Sequence, residues 1–461
     1  MKPNTRQGLC LTMLLCIVLV CYAVSTPQPI NKSYVFKAAD NEDKTIFWTC
    51  FPIVDSTLFM HDMYNNSLGN MFEESISNAP NNRLYDAEWF SSGYSGLMYY
   101  TGVFWLYTDK RVWPQDGYKL TFLKGEVDTI TVVGYTPDPD NTFLFLRGKQ
   151  NPMLYQESWL GYFLPQAQSL QQAFSRTLDS ESAQVFLDYI YSIKTQNKAT
   201  CRVLAEKDSP WIINPSRIFL KEGDMAVVKI LPWSPETMRW NTAATAFVPT
   251  PKTTKFTAQQ RKNYTPVFIE FDPSDLPEEV GIYVAGICKG AAVVDSALIE
   301  VNYYAAEAKD DAELEIMFYY GDKGMKKAPA AYVYNPETML FEAGSLQASN
   351  LGEYGYISFN RNEGSSLVPL VTELKQNYPN PFKGQTNISW ILAKDAPVSL
   401  DIYNLKGQKV KTLFSGMGVK GRQMAQWNGH DENNREVASG VYFYRLNTPE
   451  GVKVHKMMVL R

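Results

Sequence analysis

Histidine is scarce in this chain. Only three occur among 461 residues: His61, His430 and His455. Upstream of residue 376, any Ser/His/Asp or Cys/His arrangement would have to use His61. That residue lies beside Met60, Asp62 and Met63 in an amphipathic stretch, where an ordinary packed or surface histidine is the simpler reading. Cysteine is nearly as rare. Of the six, Cys10, Cys16 and Cys21 fall in the first 25 positions. The others, Cys50, Cys201 and Cys288, are too widely spaced for a CxxC zinc knuckle or a disulfide framework. A single bridge such as Cys50 to Cys201 stays open, beside the plainer reading of three buried, inert thiols. HExxH, GxSxG and Walker A are all missing, so zinc-peptidase, α/β-hydrolase and P-loop nucleotide-binding classes lack support. No cofactor and no metal is implied. Neither charge sign is in excess, with 44 Lys and Arg against 48 Asp and Glu, which speaks against a nucleic-acid surface.

Long hydrophobic runs are also missing, with one exception at the start. Lys2 and Arg6 give a positive beginning, and Leu9 to Tyr22 is apolar but shorter than the ~20 residues of a spanning helix. Ala23 and Ser25 then stand at the −3 and −1 positions of a cut before Thr26. Residues 1–25 read as a secretory signal peptide. A lipoprotein reading would use Cys21, but Val20 before it is larger than the residue such a site takes. The mature chain is then soluble or surface-attached.

Aromatics, in contrast, are plentiful: 13% of the chain, with 28 Tyr and 10 Trp. They suit half-buried pleated faces, and the length calls for several domains. The expectation is a multidomain, mainly β protein with α+β parts, in modules at 26–150, 151–255, 256–370 and 376–461. In the first, Thr45–Pro52 is an apolar strand, Asp55–Ile76 has helical spacing, and Gly117–Phe122 and Thr129–Val133 read as paired strands. The second restarts at Ser158–Pro165. Ser169-Leu170-Gln171-Gln172 then opens a short helix, and Val185, Phe186, Tyr189, Ile190 and Ile193 predict another over Ser182–Thr195. Strands follow near Trp211 and over Met225–Leu231. Both modules carry a Trp-bearing strand ending in Pro and a Gly turn into a later strand (Asp116-Gly117-Tyr118; Glu222-Gly223-Asp224), a loose sign of duplication. Val248–Lys255 is a Pro- and Thr-rich boundary. In the third module Val267–Phe271 is a strand, Asp272–Asp275 a turn, and Val280–Val294 two strands joined near Ala285-Gly286. Leu314–Tyr320 and Ala330–Tyr334 add strands.

Acid chemistry needs no histidine. Asp86 and Glu88, among Tyr85, Trp89 and Tyr94, form the most glycosidase-like patch, although a strand with exposed acids and core aromatics explains it more simply. Asp138, Asp140 and Asn141 offer oxygen ligands for Ca²⁺, as do Asp431, Asn433 and Asn434. Pro and Asx residues alone suffice to make such turns.

The C-terminal stretch is the most specific. It opens Asn377-Tyr378-Pro379-Asn380-Pro381-Phe382, a rigid lead-in because proline fixes φ and removes a donor. Val398–Asn404 alternates as a sandwich strand does, and Gly407 supplies a positive-φ turn. Trp427-Asn428-Gly429 and an Asx-rich loop lead into Gly440-Val441-Tyr442-Phe443-Tyr444-Arg445-Leu446, and the chain ends Lys456-Met457-Met458-Val459-Leu460-Arg461. In order and kind these resemble the type A C-terminal sorting domain of the type IX (Por) secretion system. Lys383-Gly384 replaces the usual Asn-Pro after the phenylalanine. The resemblance implies an Ig-like β-sandwich and a signal carried by Asn377, Pro379, Asn380, Pro381, Phe382, Gly407, Gly440, Tyr442 and Lys456. It also implies the outer-membrane type IX translocon as partner, passage through the periplasm to the outer surface or beyond, and in many members a later link to lipopolysaccharide. A module near Val280–Val294 is similar to β modules of large secreted bacterial proteins, without assigned chemistry. The cargo then reads as structural, adhesive or ligand-binding rather than enzymatic. Glycan binding through Trp89, Trp105 and Trp113, or acid-dependent glycoside hydrolysis, are the alternatives.

Overall fold

The computed structural model describes residues 30–37, 44–51, 54–55, 84–91, 94–100, 105–106, 116–123, 127–145, 157–177, 184–231, 237–243, 253, 255–259, 261, 263–305, 312–348 and 351–460. The signal peptide, His61, Trp113 and, apart from Asp55, the stretch of helical spacing 55–76 lie outside these. The chain is mostly β, and it divides into two compact units, residues 1–196 with 215–248 and residues 197–214 with 249–461.

In the first unit, a five-stranded antiparallel sheet runs in the order Lys44–Thr49, Tyr118–Leu123, Leu84–Ser91, Tyr94–Tyr100, Trp105–Leu106. A second sheet holds Ile30–Lys37, Val127–Tyr135 and Val54–Asp55. The expected pairing of Tyr118–Leu123 with Val127–Tyr135 does not occur, for a physical reason. Both flanks of the former are already bonded, to Lys44–Thr49 and to Leu84–Ser91, so no edge remains for it. The chain crosses to the other sheet instead. Phe36 stacks on Phe122 at 5.2 Å and meets Phe47 edge-on at 5.3 Å, which joins these strands through an aromatic core.

A third group pairs Glu157–Gly161 and Ile190–Lys194 to the two sides of Met225–Ile230. Ser169 caps the short helix Leu170–Ala173 through its hydroxyl, which accepts the Gln172 N–H at 3.2 Å, as its position predicts. The helix expected over Ser182–Thr195 is not formed. One 3₁₀ turn, Phe186–Tyr189, gives way to the strand Ile190–Lys194. The apolar stripe is real, but Ile190 and Ile193 satisfy it by pairing with Ile230 and Val228, where β-branched side chains fit better than in a helix.

Both halves of this unit pair in one way. The Trp48 strand lies antiparallel to the strand that follows Gly117, and the Trp159 strand to the one that follows Gly223. They also cross-link: Cys50 N–H donates to Gly223 O at 2.8 Å, and Gly117 N–H to Trp159 O at 3.1 Å.

The second unit contains two sandwiches. In the first, the sheet Leu298–Tyr303, Thr265–Glu270, Gly355–Ser358, Tyr332–Asn335, Leu340–Ala343 faces the sheet Ile287–Val293, Glu279–Val284, Glu315–Tyr319, Met325–Lys327. Val267, Ile269, Val280, Ile282, Val301 and Phe318 fill the space between them, each burial contributing about 1.5–3 kcal/mol. The turn at Ala285-Gly286 has φ of 49° and 78°, as a two-residue hairpin needs. Asp272 accepts the Ser274 N–H at 2.8 Å and its hydroxyl at 2.7 Å, making the expected turn. Near Trp211 there is a single bridge to Arg202 rather than a strand.

The C-terminal sandwich packs Glu373–Leu374, Thr386–Leu392 and Gly421–Trp427 against Lys409–Gly418, Ala396–Tyr403, Gly440–Thr448 and Gly451–Val459. Ile388, Trp390, Leu400, Ile402, Trp427, Tyr444 and Leu446 form its core. Every strand pair is antiparallel, as expected of an Ig-like layout.

Candidate functional site

The two ends of the C-terminal sandwich meet. Segment 376–382 runs beside the outer edge of the last strand, Gly451–Val459, and fastens to it at Gln376, Asn380 and Phe382, while Tyr378 pairs with Asn387. Phe382 N–H donates to Met458 O at 3.0 Å, and Leu460 N–H returns to Phe382 O at 2.8 Å. Asn380 Oδ1 accepts the Met458 N–H at 2.9 Å. Gln376 Nε2 reaches Lys456 O at 3.0 Å, and Asn380 Nδ2 approaches the same oxygen at 3.5 Å. A strand edge is a row of open donors and acceptors; here the proline-bearing segment closes its C-terminal half.

Asn377 anchors the segment from below. It is 2% exposed. Its N–H donates to the Tyr444 hydroxyl at 2.8 Å, and its side-chain amide to Pro379 O at 3.1 Å and Thr386 Oγ1 at 2.9 Å. Thr386 Oγ1 in turn donates to Pro379 O at 2.8 Å. The Tyr444 hydroxyl donates to Lys375 O at 2.9 Å; burial pushes this phenol up to about 12, so it stays neutral and can accept and donate at once. The peptide bonds before Pro379 and Pro381 are both cis. Phe382 is buried with its ring 5.7 Å from Trp427, which meets Tyr442 at 5.5 Å. Tyr442 OH donates to Ala438 O at 2.9 Å.

Of the sequence candidates, Asn377, Pro379, Asn380, Pro381, Phe382, Tyr442 and Lys456 thus belong to one arrangement. Gly407 serves the hairpin between Ala396–Tyr403 and Lys409–Gly418, its φ of 75° fitting the turn, and Gly440 opens its strand at φ 153°. Sequence reasoning passed over Gln376, Thr386 and Tyr444. Tyr444 had a usable signal, since it alternates with Tyr442 and Leu446 on the inward phase.

The profile of the secretion system C-terminal sorting domain matches residues 376–460. This sandwich is a type IX sorting domain. It directs the protein to the cell surface or to secretion and engages the type IX secretion machinery. No curated protein matches the chain. Among solved structures, PorZ of Porphyromonas gingivalis, described as an essential surface component of its type IX secretion system, is 15% identical. The match covers 37% of this chain and 28% of that one, with a TM-score of 0.17. Dimeric latent PorU of the same organism is 11% identical over 70% of this chain and 33% of that one, with a TM-score of 0.18. The chain spans a third or less of either protein, and similarity this slight transfers neither fold nor activity.

The upstream candidates fare differently. Asp86, Glu88 and Trp89 fall in the strand Leu84–Ser91, and Trp105 in Trp105–Leu106; their side chains lie outside the description. Asp138 accepts the Asp140 N–H at 2.9 Å and the Asn141 amide at 2.6 Å, bonds that lower its pKa, while Asp140 pairs with Arg176 at 2.7 Å. Asp431 accepts the N–H groups of Asn433 at 2.9 Å and Arg435 at 2.8 Å. Asp138 and Asp431 thus turn their oxygens onto their own turns, and Asp140 turns its carboxylate to Arg176. Among the described residues no group of three acids, histidines or cysteines is placed to hold a metal. Cys50, Cys201 and Cys288 are free thiols, the first two buried, and burial pushes Cys50 well above the usual thiol range, which makes it inert.

Proposed function

We propose that residues 26–370 form a structural or adhesive surface module whose export is directed by the sorting domain behind it. The carrying observation is how chemistry-bearing side chains upstream are used. Lys119 is buried, with Nζ 4.1 Å from the Trp48 ring and 4.3 Å from that of Trp159. A cation and two indoles that elsewhere would make a binding platform here hold two halves of one unit together. Arg361 likewise grips Glu270 at 2.6 and 3.2 Å, joining the strand Thr265–Glu270 to the segment after its neighbour Gly355–Ser358. Such uses favour a scaffold over a cleft.

The duplicated strand pairing supports reading residues 26–150 and 151–255 as related modules. After export, removal of the sorting domain and attachment to lipopolysaccharide fits a surface-anchored scaffold. Deleting Asn377 to Arg461 tests the route: the truncated protein should accumulate in the periplasm, and normal display would overturn it. A glycan array with residues 26–370 tests the cargo. Saturable binding to one glycan class would replace the scaffold reading with a carbohydrate-binding one.

A further inference from the structure

The segment 376–382 closes only part of the last strand. Because the N–H groups of Met458 and Leu460 point away from Gly440–Thr448, the two-residue period of an unbroken antiparallel register places those of Val452, Val454 and Lys456 on the same outer side. Among the described residues, nothing is hydrogen-bonded to the outer N–H or C=O groups of Val452 and Val454. Their side chains are 60% and 51% exposed, and Met458 and Leu460 extend the exposed apolar row. Lys456 interrupts this row and Lys453 alternates to the opposite face, both exposed. The whole domain is cationic: residues 376–461 carry twelve Lys and Arg against six Asp and Glu, in a chain whose formal charge is −4.

We propose that the open half of this edge, Gly451 to the N–H of Lys456, is where the export machinery docks, by adding one extended strand with acidic side chains. This rests on the export reading above. Main-chain bonds to Val452 and Val454 supply affinity that only a polypeptide strand can match. The valines select apolar contacts, and the lysines select acid over base. The proline-bearing segment then has a second role. It holds the rest of the edge shut, so that the incoming strand has one register. A free edge of this kind is ordinarily blunted, and its exposure here beside a cationic surface fits a surface kept for a partner.

The test is the full chain carrying Val452→Pro and Val454→Pro, with display scored by surface proteolysis in the producing cell. Proline at these positions removes only outward N–H groups and leaves the ladder to Gly440–Thr448 intact. We expect a folded protein with about a tenfold loss of surface display and accumulation in the periplasm. Lys453→Glu with Lys456→Glu should reduce display similarly without any backbone change, and it decides the matter if the proline variant does not fold. Normal display of the charge-reversed chain, or of a folded proline variant, while the deletion of Asn377 to Arg461 is trapped, overturns the edge proposal and leaves export standing. Display of the deletion itself overturns both. Loss of display of the unmodified chain on lowering anionic lipid content, with the charge-reversed chain unresponsive, would assign the lysines to a lipid and overturn the strand.

Discussion

Asn380 Oδ1 accepts the backbone N–H of Met458 at 2.9 Å, a bond between residues 78 positions apart. It ties the first motif of the sorting domain to the last. Asn380→Ala should cost about 1 kcal/mol and selectively speed hydrogen exchange at the Met458 amide, read by mass spectrometry. Asn380→Asp keeps the acceptor and should protect that amide nearly as well. Equal exchange in all three proteins would remove this residue from the fastening.

Tyr444 offers a harsher lesion. Its hydroxyl accepts from Asn377 and donates to Lys375, both at the foot of the segment. Tyr444→Phe leaves the Asn377 N–H buried without that acceptor, so the sorting domain should lose about 1–3 kcal/mol in urea unfolding. The loss should exceed that of Asn380→Ala, since the Asn380 site is open to water.

How much of this could be read beforehand depends on the range of the cause. The alternation of Val398–Asn404 and the pair at Ala285-Gly286 are local signals, and the chain obeys them. The stripe over Ser182–Thr195 is local too, but it is blind to Met225–Ile230, the neighbour that turned Ile190 and Ile193 into a strand. Tyr444 shows the same limit within the site. Its inward phase was visible, but its partner Asn377 lies 67 positions away, and no periodicity reports that. Asn377, Asn380 and Phe382 were legible because they share one short motif.

Asp224 gives the first unit a pH dependence. Burial raises its carboxyl from 3.8 to about 6, against the opposing effect of the Lys221 N–H it accepts. Because the folded value is the higher one, the neutral form is favoured by folding. Its stability is fully present below 3.8 and is lost as pH rises through about 6. Asp224→Asn should flatten that slope and raise stability at pH 7 by up to about 3 kcal/mol. Thermal melts from pH 4 to 7 check it, and parallel profiles for both proteins would contradict it.

Lys119 should behave as a core residue despite its charge. Lys119→Ala removes the stem and cation between Trp48 and Trp159 and should cost about 3 kcal/mol, with a shift in indole emission. Lys119→Met restores most of the volume but not the cation, so the gap between Lys119→Met and the unmodified protein measures the electrostatic share.

Gly421 joins the sorting domain to the sandwich before it. The Arg422 N–H donates to Thr338 O at 2.9 Å, and Lys420 Nζ reaches Gly364 O at 2.8 Å. Gly421 has φ of +101°, and a Cβ there would strike the Thr338 carbonyl oxygen and press Leu340 at 3.2 Å. Gly421→Ala therefore combines backbone strain with a backbone clash, worth about 1–3 kcal/mol. The clash lies in the seat between the two sandwiches, away from the core of either. We expect residues 359–372 to be cut faster by protease and calorimetry to resolve separate transitions. Lys420→Ala, which loses one bond and adds no strain, should give the same pattern more weakly. A single lowered transition for Gly421→Ala would place the damage inside the sorting domain instead. Seating and export are also separable by this variant, because it leaves segment 376–382 and the strand Gly451–Val459 untouched: display should persist when the seat is lost.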